Sequence, residues 1–231
     1  MREISIEDSS LNVEVLAVFR SENPVFMLRM PAVFVLMAPP TELGIDALHR
    51  TKNRLLGKNY GTAIGRVERF FELANKEHLP PFIRSADDLN KFTGSFIRFR
   101  IGDTAFNSDL VCNGTHQGVL IEEGAHRSLF TTLEDFCLEM AEPHLFEGKI
   151  YPAPLCTSAN ISGDVLGSIT NLERALAFGR DRALPLFVNS NLVDEAKGSY
   201  PIFAITKNKI SIERNGPGEQ RIHVQIPEGY F

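Results

Sequence analysis

Short apolar runs of strand length alternate with segments of helical periodicity along the chain, and this alternation restricts the fold more than any single residue does. "AVFVLMA" (32–38), flanked by prolines, reads as a buried strand, and "RVERFFELANKEH" (66–78) places Val67, Phe70, Phe71 and Ala74 at helical spacing. In "SFIRFRI" the side chains alternate, Ile97, Phe99 and Ile101 to one face and Phe96, Arg98 and Arg100 to the other. "TTLEDFCLEMAE" predicts a short helix opened by Thr131 or Thr132. "TNLERALAFG" predicts another, with Thr170 as N-cap, Glu173 completing a capping box and Gly179 as the stop. The C-terminal stretches "YPIFAITKNKISIERNG" and "RIHVQI" read as strands, the first two joined by a Lys-Asn-Lys turn. The class that follows is α/β, a sheet covered by helices. With no internal repeat and no Gly/Ser linker, residues 1–231 read as one domain.

Charge narrows the function classes. The 24 Lys and Arg against 29 Asp and Glu give a net charge of −5, so no broad coating of nucleic acid is expected and any phosphate site must be local. Cys112, Cys137 and Cys156 are widely spaced and form no C-x-x-C pair, which predicts reduced thiols in a cytoplasmic protein and no disulfide framework. The histidines form no metal-spaced pair, so no protein-held metal is expected. "MREISIEDSS" lacks the apolar core of an export signal, and "VFMLRMPAVFVLMAPP" is too short to span a bilayer and carries Arg29.

Two clusters carry chemistry. In "LCTSANISG" a strand-like run delivers the chain to Thr157, Ser158, Asn160, Ser162 and Gly163. Such a turn either hydrogen-bonds to itself or presents donors to an anion. "HRTKNRLLGKNY" holds His49, Arg50, Lys52, Arg54 and Lys58 with no acid among them. If the helix from about Gly44 ends near Thr51 and the chain then extends, Lys52 and Arg54 point the same way and form a phosphate clamp. A solvated basic helix end is the competing reading.

Taken in order, "KNR" (52–54), "FIRFRIGD" (96–103), "TSANISG" (157–163), Ser199 in "GSYPIFAI" and "ERNG" (213–216) resemble the landmarks of the YrdC-like family, the threonylcarbamoyl-AMP synthases of tRNA modification. The S-A-N-x-S-G match is specific, and the others persuade by their order. The resemblance implies a twisted, open mixed sheet with flanking helices and a concave, positively charged groove. It implies ATP, L-threonine and bicarbonate as substrates, Mg²⁺ as a helper, and threonylcarbamoyl-adenylate with pyrophosphate as products. Partner proteins of tRNA modification come with the same resemblance. Carried over, Lys52 and Arg54 would hold the triphosphate, while Thr157, Ser158 and Asn160 would contact the nucleotide. Ser199 and Arg214 would close on the phosphates, and Arg100 would face the carboxylate of threonine or its carbamate. Arg100 otherwise reads as a strand-face arginine paired with an acid such as Glu213. Pro40, Thr41 and Glu42 match the start of the family's P-T-[DE]-T-x-Y-G-L element, which marks Thr41 as substrate-binding. The rest of that element is missing, and residues 103–128 read as an insertion relative to a compact member. Two other readings therefore stand beside the synthase: a nucleotide- or RNA-binding module without turnover, and a carbamoyl-adenylate enzyme with another acceptor.

Overall fold

A computed structural model describes residues 1–231 except 56, 191 and 193–197. Ten strands form one mixed sheet in the order β1-β8-β2-β3-β7-β4-β6-β5-β9-β10. They are β1 (Arg2–Ser5), β2 (Phe26–Arg29), β3 (Phe34–Ala38), β4 (Gly61–Ala63), β5 (Ser95–Arg100), β6 (Thr115–Leu120), β7 (Leu155–Ser158), β8 (Leu186–Asn189), β9 (Ile202–Ile205) and β10 (Ile210–Arg214). The middle of the sheet is antiparallel across β2-β3-β7-β4, whereas β4-β6 and β5-β9 run parallel. The helices are α1 (Leu11–Phe19), α2 (Glu42–Lys52), α3 (Val67–Leu73), α4 (Ala125–Cys137), α5 (Leu172–Asp181) and α6 (Glu219–His223).

The two-residue period of the strands divides the core into two layers. Phe34, Leu36 and Ala38 of β3 join Leu48 of α2, Phe70 of α3 and Phe178 of α5. Val35 and Met37 pack on the other face, where α1 supplies Leu11 and Val15 and α4 supplies Leu129, Phe130 and Leu133. β5 obeys the alternation read from its sequence: Ile97 and Phe99 enter the first layer and Phe96 the second. A sheet buried on both faces explains why β3 is buried at every position. Among the described residues no helix is long and apolar enough to cross a membrane.

Several expectations change in the structure. The helix from residue 67 stops at Leu73, because Asn75 N–H donates to Arg100 O at 2.8 Å and pulls the chain onto β5. α4 starts at Ala125, ahead of both threonines, from Gly124 at φ 144°, a conformation open to glycine. The N-cap of α5 is Asn171, whose side chain accepts from Arg174 N–H at 3.1 Å, and not Thr170. Gly179 does not stop α5; it lies inside the helix, where a Cβ would run into Met1. "RIHVQI" is no strand. Ile222 and Ile226, four apart, are buried while Val224 between them is 80% exposed, a helical spacing that the apparent alternation hid. Residues 103–128 include β6, which lies between β4 and β5, so part of that stretch is woven into the sheet.

Candidate nucleotide site

On the face that carries Val35, Phe96 and Cys156, a cavity of about 430 Å³ opens beside the ends of α2 and β7. Lys52, Arg54, Lys58, Arg98 and Arg214 line it, and among the described lining residues there is no Asp or Glu. In a chain of net charge −5 this is a strong local reversal of sign.

The two sequence clusters meet here. Thr41 caps α2 by accepting from Gly44 N–H at 3.1 Å, and the helix ends at Asn53 in the left-handed region (φ 52°). That turn carries the chain around so that Lys52 and Arg54 both reach the cavity; the geometry is a left-handed cap, not the plain extension read from the sequence. Lys52 is only 1% exposed. Its Nζ donates to Ser158 O, to Asn160 O at 3.0 Å and to Asn160 Oδ1 at 3.1 Å. Ser162 N–H donates back to Lys52 O at 2.8 Å, and Ser158 Oγ donates to Asn160 Oδ1 at 2.7 Å. Burial, aided by Arg54 and Lys58, pushes the Lys52 ammonium down to about 7. Arg54 donates to Lys58 O at 3.2 Å and Asn59 O at 2.7 Å, and its guanidinium lies 4.3 Å from the centre of the Tyr60 ring.

The opposite wall comes from β5, β6 and β10. Arg214 forks onto Tyr200 O with bonds of 2.9 and 2.7 Å, and burial lowers its proton affinity, with Arg98 adding to the effect. Arg98 pairs with Glu213 at 2.9 Å and donates to Gln117 Oε1 at 2.7 Å. Ser199 Oγ lies 2.5 Å from Ser168 Oγ.

The structure thus brings Lys52, Arg54, Thr157, Ser158, Asn160, Ser199 and Arg214 to one cavity, and leaves two expected residues outside it. Arg100, at the last position of β5, curls away onto Gly102 O, Asp103 O and Thr104 O at 3.1, 3.2 and 3.0 Å. Its strand neighbour Arg98 faces the cavity, and Arg98, not Arg100, pairs with Glu213. Thr41 is buried in its capping role. Alternation placed both arginines on one face but could not show that the strand ends at the second. Gln117 gave no sequence signal, since it became a lining residue only through the pairing of β5 with β6.

The donor set also bears on Mg²⁺. That ion is held by carboxylates together with phosphates, and the described lining offers hydroxyl and carbonyl oxygens but no carboxylate. The described cavity residues do not fit a protein-held Mg²⁺. Elsewhere Glu42, Glu142 and His144 bring one ligand atom each within 4.8 Å of one another, outside the cavity.

No family model matches the chain, and no curated protein matches it in sequence. Solved structures do. Sua5 of P. abyssi, in complex with L-threonine, superposes with a TM-score of 0.66 at 16% identity, covering 97% of this chain and 61% of that one. E. coli YciO gives 0.64 at 10% identity over 93% of both chains. HypF in its phosphate- and nucleotide-bound form gives 0.60 at 14% identity, covering 89% of this chain and 29% of that one. This chain therefore spans about 61% of the length of the Sua5 it matches. This chain shares its fold with Sua5, YciO and the matched part of HypF, a mixed sheet flanked by helices.

Proposed function

We propose that the chain is a YrdC-like enzyme that binds ATP in the cationic cavity and joins its adenylyl group to the carbamate of an amino acid, with L-threonine the first candidate. The observation that carries this reading is a cavity lined by Lys52, Arg54, Lys58, Arg98 and Arg214, with no acid among the described lining residues and the Thr157–Asn160 turn on its wall. Support comes from the fold it shares with a Sua5 bound to L-threonine and a HypF bound to nucleotide.

In the proposed reaction the amine and bicarbonate give a carbamate with loss of water. A carbamate oxygen attacks the α-phosphorus, the bond from that phosphorus to the bridging oxygen breaks, and pyrophosphate leaves with the electron pair. Two anions must be brought together, so the protein's part is to neutralise and align them. Arg54 and Arg214 serve the phosphates, with Ser199 beside them; Thr157, Ser158 and Asn160 contact the nucleotide. Arg98 takes the part expected of Arg100, because its guanidinium lines the cavity across from Lys52 and is steadied by Glu213 and Gln117. Any Mg²⁺ carried by the nucleotide would add charge neutralisation on the phosphates without a ligand from the described lining.

The test is pyrophosphate release from ATP with bicarbonate and amino acids supplied singly and together. Release only with ATP, bicarbonate and an amino acid supports the enzyme. Nucleotide binding with no release under any combination supports instead a binding module without turnover.

A further inference from the structure

Lys52 is the most buried of the cavity's cations, and its surroundings differ from those of the arginines. A lysine ammonium has three N–H donors. All three have acceptors on the polar turn: Ser158 O, Asn160 O and Asn160 Oδ1. The same residue holds the turn a second time through its own carbonyl, which accepts from Ser162 N–H at 2.8 Å. Arg54, by contrast, uses Nε and Nη2 on two carbonyls, and among the described residues its Nη1 has no partner.

We infer that Lys52 is a positioning residue, which fastens the Ser158–Ser162 turn to the end of α2, and that it does not itself grip a phosphate. For Nζ to reach a phosphate it would have to abandon an acceptor inside a site where 1% of the residue is exposed, leaving a buried carbonyl or amide oxygen unpaired. Fastening also fixes the Asn160 amide. Its Oδ1 accepts from both Lys52 Nζ and Ser158 Oγ, so its Nδ2 is directed to Ile161 O at 2.8 Å. The turn that meets the nucleotide is thus set before a ligand arrives. This inference rests on the nucleotide reading of the cavity.

The test compares ATP with adenosine, which has no phosphate, on the full chain. In Lys52→Met, affinity for adenosine as well as for ATP should fall at least about tenfold, because the lost feature is the shape of the turn; ATP falls somewhat further, since a cavity charge is lost too. In the free protein, the backbone amide resonances of residues 158–162 should shift while those of distant strands stay in place. Asn160→Ala attacks the same fastening from the other side, and Lys52→Met with Asn160→Ala should lose no more affinity than the worse single variant. A fall for ATP with adenosine unchanged would overturn the inference, since Lys52 would then be a phosphate ligand; so would additive losses. If the wild-type chain binds neither ligand, the nucleotide reading falls, and the turn resonances alone decide the fastening.

Discussion

Replacing His116 by Phe should remove the part of the fold's acid sensitivity that this one imidazole contributes. His116 lies in β6 and is 1% exposed. Its Nδ1 sits 2.7 Å from Leu110 O and its Nε2 2.9 Å from Thr62 Oγ1. A carbonyl can only accept, so this pairing assigns the proton to Nδ1 and lets Nε2 accept from the threonine hydroxyl. The rings of Phe146 and Tyr151 stand edge-on to it at 5.1 and 5.8 Å. A second proton would bring a charge among apolar rings, and burial lowers the imidazole from 6.5 to about 4. Because the folded value lies below the unfolded one, the unfolded chain takes the proton first. Stability is full above the unfolded value and is lost as pH falls from 6.5 towards 4. The full difference is worth about 3 kcal/mol once pH is below both values. Urea unfolding should show the wild type losing about 2–3 kcal/mol more than His116→Phe between about pH 7.5 and 4.5, on top of a constant cost for the two lost hydrogen bonds. Glu134, whose carboxyl is raised to about 7 by burial, works in the opposite direction but is common to both proteins. Equal pH dependence of the two proteins would refute the argument.

Two further predictions concern the cavity. Arg98→Ala should depress amino-acid-dependent pyrophosphate release at least tenfold, whereas Arg100→Ala, which loses only loop carbonyls, should change stability more than turnover; steady-state kinetics beside thermal melts separate the two. Arg54→Lys keeps the charge but removes the planar fork and its stacking on Tyr60, so calorimetric titration should show ATP binding weakened by about 1–2 kcal/mol.

How far the sequence revealed this molecule depended on the range of the interaction involved. β3 was legible as an uninterrupted apolar run bounded by prolines, and β5 because burial on alternate faces is written in consecutive side chains. The polar turn was legible because its hydroxyls and amide lie within a few positions of one another. Helix ends were less so: α3 stops at Leu73 because Asn75 N–H bonds to Arg100 O of β5, a partner far along the chain. The fate of Arg100 turned on where β5 stops, and the capping of α2 by Thr41 placed a motif residue outside the cavity. The triple bonding of Lys52 needs α2 and β7 side by side, which no spacing within "KNR" could show.

Whether the cavity takes a nucleoside triphosphate is decided by titration calorimetry with ATP on the wild-type chain and on Arg54→Ala. Binding to the wild type should be saturable and one-to-one and should weaken with added salt, as contact with several cations requires, and the variant should lose at least about tenfold. Absence of binding at millimolar ATP, or binding that Arg54→Ala leaves unchanged, would contradict the nucleotide reading of the cavity.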